Sequence, residues 1–123
     1  MDTLKIREAF LNAPEKTADV EIPDWLAPYL EPGTELILKD VPGNDMGRLK
    51  KQWDKDPNMD EVTQTAAIIV RCLANKATGE LIFQLADRDA IASRGGTKLT
   101  SLSLQIAEFF GFDKNAIANA KKN

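Results

Sequence analysis

The sequence contains no histidine. That removes serine–histidine and cysteine–histidine nucleophile pairs, histidine-based metal sites and the side chain that titrates near neutral pH. It contains one cysteine, Cys72. A lone cysteine closes no internal disulfide and builds no paired zinc or redox motif. Its place in an apolar segment reads as a buried small hydrophobe rather than an activated thiolate. No apolar run approaches the roughly 18–20 residues a bilayer requires. The start of the chain lacks a basic stretch followed by an apolar one, so no secretory signal is visible. Net charge is −3, the wrong sign for phosphate polymers and anionic lipid. These absences predict a protein without catalysis, metal or cofactor, with no nucleic acid or membrane as partner.

What is present suits one compact domain spanning residues 1–123. Hydrophobic residues make up 43% and charged residues 28%, so the chain carries enough apolar surface to escape disorder. The predicted class is α+β and mainly α-helical, with four or five helices and a small antiparallel β-ribbon in the N-terminal half.

The first predicted helix runs from Leu4 to Asn12, capped by Asp2 or Thr3 and stopped by Pro14. Ile6, Ala9, Phe10 and Ala13 share one face, the expected core face. Leu4 and Leu11 form a second apolar face nearly opposite, one more than a core-facing helix needs. Val20-Glu21-Ile22 and Glu35 to Val41 alternate as two strands would, and are expected to pair, with the Trp25–Tyr29 segment over them. After a turn at Val41 to Asp45, Met46, Leu49 and Trp53 mark a short helix. Asn58 and Glu61 have the spacing of a capping box. Val62, Ala66, Ile69, Val70 and Leu73 then form the stripe of a central helix, apolar almost all round.

Ala77-Thr78-Gly79-Glu80 reads as a turn and Leu81-Ile82-Phe83 as extended chain. Asp87 is placed to cap a short helix through Ser93, and Gly95-Gly96 to form a flexible hinge. Leu99 to Phe110 is a strong amphipathic helix with Leu104 off its stripe. Gly111 is its expected left-handed stop. A last helix is expected over Lys114 to Lys121.

The remaining chemical motifs point to little. Asp54 with Asp56, and Asp87 with Asp89, read as caps and solvated loop charges rather than as an acid–base pair. Gly95-Gly96-Thr97-Lys98 lacks the G-x-x-x-x-G-K-S/T spacing of a phosphate loop. Arg48, Lys50 and Lys51 sit among acidic neighbours as a mixed-charge face. The two C-terminal helices have the outline of a helix–turn–helix, the basis of an alternative reading as a small DNA-binding regulator. Its second helix, however, presents mostly alanine, and its basic pair falls at the end.

The order of segments resembles one family. Val20-Glu21-Ile22-Pro23-Asp24-Trp25 resembles the V-x-V/I-P-D/E-W segment near the start of many phage tail assembly chaperones. Glu35 to Gly43 resembles the strand and turn that follow. The Ala66–Leu73 helix, Gly79 to Phe83 and Asp87 to Ile91 resemble the next stretch of that family. The resemblance covers most of the chain from Val20 onward. It departs at Leu26 to Gly33, longer and richer in proline.

The resemblance implies a protein of siphovirus-type, long-tailed phages, made in the host cytoplasm during morphogenesis and absent from the mature virion. Such proteins bind and solubilise the tape measure protein until the tail tube polymerises around it, and they self-associate. A longer form made by ribosomal frameshifting recruits the major tail tube protein. Lys122-Asn123 is compatible with a slippery A AAA AAC heptamer. Surplus apolar surface suits coating another chain's helix, which makes Leu4, Leu11, Leu104 and Phe110 the expected partner contacts.

Overall fold

The computed structural model describes residues 2–94 and 96–111, and for residues 96–98 the backbone alone. Its elements are α1 (Thr3–Asn12), β1 (Thr17–Asp19), β2 (Leu36–Lys39), α2 (Gly43–Lys55), α3 (Glu61–Cys72), β3 (Leu73–Asn75), α4 (Arg88–Ala92) and α5 (Gly96–Phe110). The mainly helical α+β class is as expected, with five helices among the described residues and a three-stranded antiparallel sheet in place of a two-stranded ribbon.

α3 is the hub. Ala66, Ala67, Ile68, Ile69, Val70 and Cys72 are all buried, and the helix packs on β2, α4 and α5. An apolar surface that runs almost all round a helix is stable only when enclosed on several sides, and here it is. α2 contributes the expected stripe: Leu49 is 1% exposed, and Met46 and Trp53 pack against the same core. α5 closes the core with Leu99, Leu102, Ile106 and Phe109, leaving Leu104 exposed.

Three boundaries differ from the sequence expectation, each for a physical reason. The first strand is Thr17–Asp19, three residues before Val20–Ile22. Val20 still donates its N–H to the Leu36 carbonyl at 2.9 Å. The next residue is claimed elsewhere: the Gln105 amide of α5 accepts from the Glu21 N–H at 2.8 Å and donates to its carbonyl at 3.0 Å. With both backbone groups satisfied by a helix, Glu21 has none left for the ladder. The alternation of Val20 and Ile22 reflected two inward side chains, not sheet pairing.

The second difference is β3. Leu73, expected as the last residue of the central helix, begins a strand with no intervening turn. It turns extended at ψ 122° and pairs with Leu38, while Ala74 pairs with Ile37 and Asn75 with Leu36. Leu73 stays buried in either conformation, so the helical stripe did not reveal the switch. The hairpin continues, with the Asn75 N–H donating to Glu80 and the Ile82 N–H to Leu73. Gly79, at φ +74°, makes the return turn that L side chains adopt only with strain.

Third, helix starts moved. α2 begins at Gly43, absorbing the expected turn, because Pro42 as N-cap, at φ −52° and ψ 139°, lacks only an N–H that no helix would use. α3 is capped by Asp60, whose carboxylate accepts from the Thr63 N–H at 2.7 Å, not by an Asn58–Glu61 box. That bond holds the Asp60 pKa below the usual carboxylate value. α5 begins at Gly96, inside the expected hinge. The stop at Gly111, φ +75°, and the Asp2 cap of α1 are as read from the sequence. The Lys114–Lys121 helix, and with it half of the helix–turn–helix outline, lies outside the described residues.

Candidate functional site

α1 is unusual in its exposure. A ten-residue helix is marginal in water unless an apolar face is covered, yet no residue of α1 is buried and it packs extensively on no other element among the described residues. Both apolar faces are open. Leu4 and Leu11 are exposed, as expected; Ile6 and Phe10, assigned from periodicity to the core, are exposed too, Phe10 at 83%. The correction has a simple cause: periodicity shows that a helix has an apolar side, not that anything covers it. Arg7 and Glu8 flank Leu4 and Leu11 at helical spacing, leaving the Ile6–Phe10 side the more continuous of the two.

The other two expected contacts sit on α5. Leu104 is exposed at 47%. Phe110 is half-buried: its ring meets that of Phe109 edge-on at 4.9 Å, and it packs against the core. The end of α5 is tied to the chain between α1 and β1. The Lys16 ammonium donates to the Phe109 carbonyl and lies 4.8 Å from the centre of the Phe109 ring. A cation at a helix C-terminus complements its unpaired carbonyls. The structure therefore puts the four expected residues on two helices, three of them open and one partly sequestered. Trp25, Tyr29, Leu81, Ile82 and Leu85, not among the expected partner contacts, add exposed apolar surface elsewhere.

The carboxylate pairs do the work of local structure. Asp87 accepts the Gln84 N–H at 2.8 Å and so caps the turn before α4, which continues to Ala92. Asp89 pairs with Arg88, and Asp56 accepts the Asn58 N–H. Arg48, in the expected mixed-charge face, pairs with Asp45 at 2.9 Å. Among the described residues no cluster of acidic, cysteine or histidine side chains could hold a metal, and no helix is long and apolar enough to cross a membrane. Cys72 is fully buried, and burial pushes its thiol pKa up to about 12, leaving a thiol and not a nucleophilic thiolate at neutral pH.

Sequence reasoning did not single out a pocket between α2, α3 and α4. It has a volume of about 270 Å³, with Leu49 and Ala67 among its lining and Arg71, Arg88 and Asp89 as its charges. Burial lowers the Arg71 pKa; the Asp45 carboxylate opposes that shift and the Arg88 charge adds to it. The signal available in the sequence was an arginine in the last turn of a helix otherwise apolar all round.

Comparison with known proteins adds one relation at the level of fold. No protein-family model matches the chain, and no curated protein matches it in sequence. Among solved structures, that of the bacteriophage HK97 tail assembly chaperone superposes with a TM-score of 0.53, covering 86% of this chain and 98% of that one at 12% sequence identity. The fold expected from the order of sequence segments is thus the fold found.

Proposed function

We propose that this chain is a tail assembly chaperone of a long-tailed phage, acting by binding and not by catalysis. The observation that carries the reading is α1: a helix offering two apolar faces to solvent, on a fold shared with the HK97 chaperone. Exposed apolar surface on a helix suits a partner that is itself helical and apolar, laid alongside it. The tape measure protein is that partner in this reading, and the chain coats it until the tail tube assembles. Leu4 and Leu11 make contact, joined by Ile6 and Phe10; Leu104 and Phe110 extend the contact from α5.

Each contact is small, so retention comes from many copies along one long client, and single contacts still exchange. Self-association of the copies strengthens that array. In this reading the protein works in the host cytoplasm, is absent from the mature virion, and has a frameshifted longer form that recruits the major tail tube protein.

Co-expression tests the reading. The tape measure protein encoded beside this gene is expected to be soluble when produced with this chain and to aggregate without it. Equal solubility in both cases, with unchanged tail yield from a phage lacking the gene, rules it out. A slippery heptamer at Lys122-Asn123, with a longer product detected by mass spectrometry, supports the longer form; a gene without an overlapping −1 frame removes it.

A further inference from the structure

The pocket between α2, α3 and α4 has a charge pattern that the chaperone reading does not use. Arg71 leaves the last turn of α3 and folds back, one N–H donating to the Ala67 carbonyl at 2.6 Å. That carbonyl is one helical turn behind it, and among the described residues no carboxylate lies within ion-pair distance of the guanidinium. Four of its five N–H donors thus have no protein partner among the described residues. Arg88, brought across by the packing of α4 on α3, lines the same cavity and uses its Nε for Asp89 at 3.1 Å. Its two terminal nitrogens have no protein partner among the described residues. The two guanidiniums on this cavity repel each other, and burial weighs against the Arg71 charge. The Asp45 carboxylate offsets the repulsion and Asp89 takes one edge of Arg88, which leaves the remaining N–H donors directed at a cavity rather than at a carboxylate.

We propose that this pocket is an oxyanion site that takes a single carboxylate, clamped between Arg71 and Arg88, with the amide of Gln52 beside it. Charge selects the ligand class. Arg71, Arg88 and Asp89 leave the lining at one net positive charge, and the Asp45–Arg48 pair nearby adds none. A carboxylate neutralises that charge; a phosphate, at about −1.5 to −2, overshoots it. Planar guanidinium forks also match a carboxylate's two oxygens. Leu49 and Ala67 give the apolar wall against which the carbon stem rests. The carboxylate comes either from a free small acid or from a glutamate side chain of a partner.

The test uses the full chain, labelled with ¹⁵N, and follows the Nε–Hε signals of its arginines. Sodium acetate is titrated against sodium chloride at matched ionic strength, then inorganic phosphate, then short acetylated peptides carrying glutamate or glutamine. Acetate or the glutamate peptide is expected to move Arg71 and Arg88 together and saturably, with chloride and the glutamine peptide inert. Saturation by acetate marks a free acid as sufficient; saturation by the glutamate peptide alone marks a partner's side chain. Arg88→Gln and Arg71→Lys each weaken binding about tenfold, the loss of one charge-assisted hydrogen bond.

Shifts that match chloride, or that never saturate, overturn the site. Phosphate binding tighter than either carboxylate overturns the choice of ligand. Should a variant fail to fold, by the dispersion of its amide spectrum, the wild-type titrations decide alone. The site does not rest on the chaperone reading, and client solubility in co-expression is scored separately.

Discussion

Replacing Phe10 with serine separates a partner surface from a structural one. The two residues have nearly equal helix propensity, so α1 keeps its backbone preference. Phe10 is 83% exposed, and fully burying a phenylalanine is worth about 1.5–3 kcal/mol. Five-sixths of that, about 1.2–2.5 kcal/mol, is still available to a partner, equivalent to roughly 8- to 70-fold in affinity per contact. Little of it is used in the isolated chain, so unfolding should change by no more than about 0.5 kcal/mol. The assay is paired: urea unfolding of wild type and Phe10→Ser followed by tryptophan fluorescence, and binding of both to a labelled apolar helical peptide from the tape measure protein. The expected result is coincident unfolding curves with binding weakened by that factor. A loss of about 3–5 kcal/mol in stability, as for a core phenylalanine, would show that α1 is covered within the chain itself. Unchanged binding would show that the Ile6–Phe10 face is not the contact. Either outcome refutes the reasoning.

Three further outcomes follow from the core and its caps. Leu49→Ala removes an α2 side chain that is 1% exposed in the core and is expected to cost about 2–5 kcal/mol, read as a lower urea midpoint. Asp60→Ala removes the α3 cap. Because Asp60 has its pKa lowered from 3.8 in the folded chain, its contribution is present above that value and lost as pH falls through the folded pKa; the gap in midpoint between wild type and variant should close on acidification. Cys72, with its thiol at about 12, should resist iodoacetamide at pH 8 in the native chain and react once urea unfolds it, counted by intact mass.

What the sequence disclosed, and what it hid, divides along the range of the interactions. The Ala66–Cys72 and Leu99–Phe110 helices were legible because period and burial agree along one contiguous stretch. The Met46–Leu49–Trp53 stripe was legible too, though not the helix's start, since Val41-Pro42-Gly43 carries turn residues that a helix N-terminus also tolerates. β3 was hidden because nothing local ends α3: the chain leaves the helix where β2 offers an open edge, and β2 lies 35 residues upstream, from Leu38 to Leu73. β1 was misplaced because the competitor for Glu21 was Gln105, 84 residues away. The same division holds at the surface. Leu4, Leu11 and Leu104 stood out as apolar residues off a stripe, and the structure leaves them in solvent. Arg71 and Arg88 are 17 positions apart, and only the packing of α4 on α3 puts them on one cavity.

The sheet carries a consequence of its own. Exposed apolar surface is hazardous when it borders an unpaired strand, because backbone N–H and C=O groups there recruit other chains into growing aggregates. In this protein the rims give little to recruit with. β1 is three residues long and ends in Asp19, which is held by Lys76 at 3.0 Å, and beyond β3 a single bridge from Ala74 to Leu81 closes the other side. The long strand, β2, is paired on both flanks. Stickiness is thereby uncoupled from templating: α1 offers side chains without an open ladder of backbone groups, which under the proposed chaperone reading would let a client be released instead of being built into a fibre.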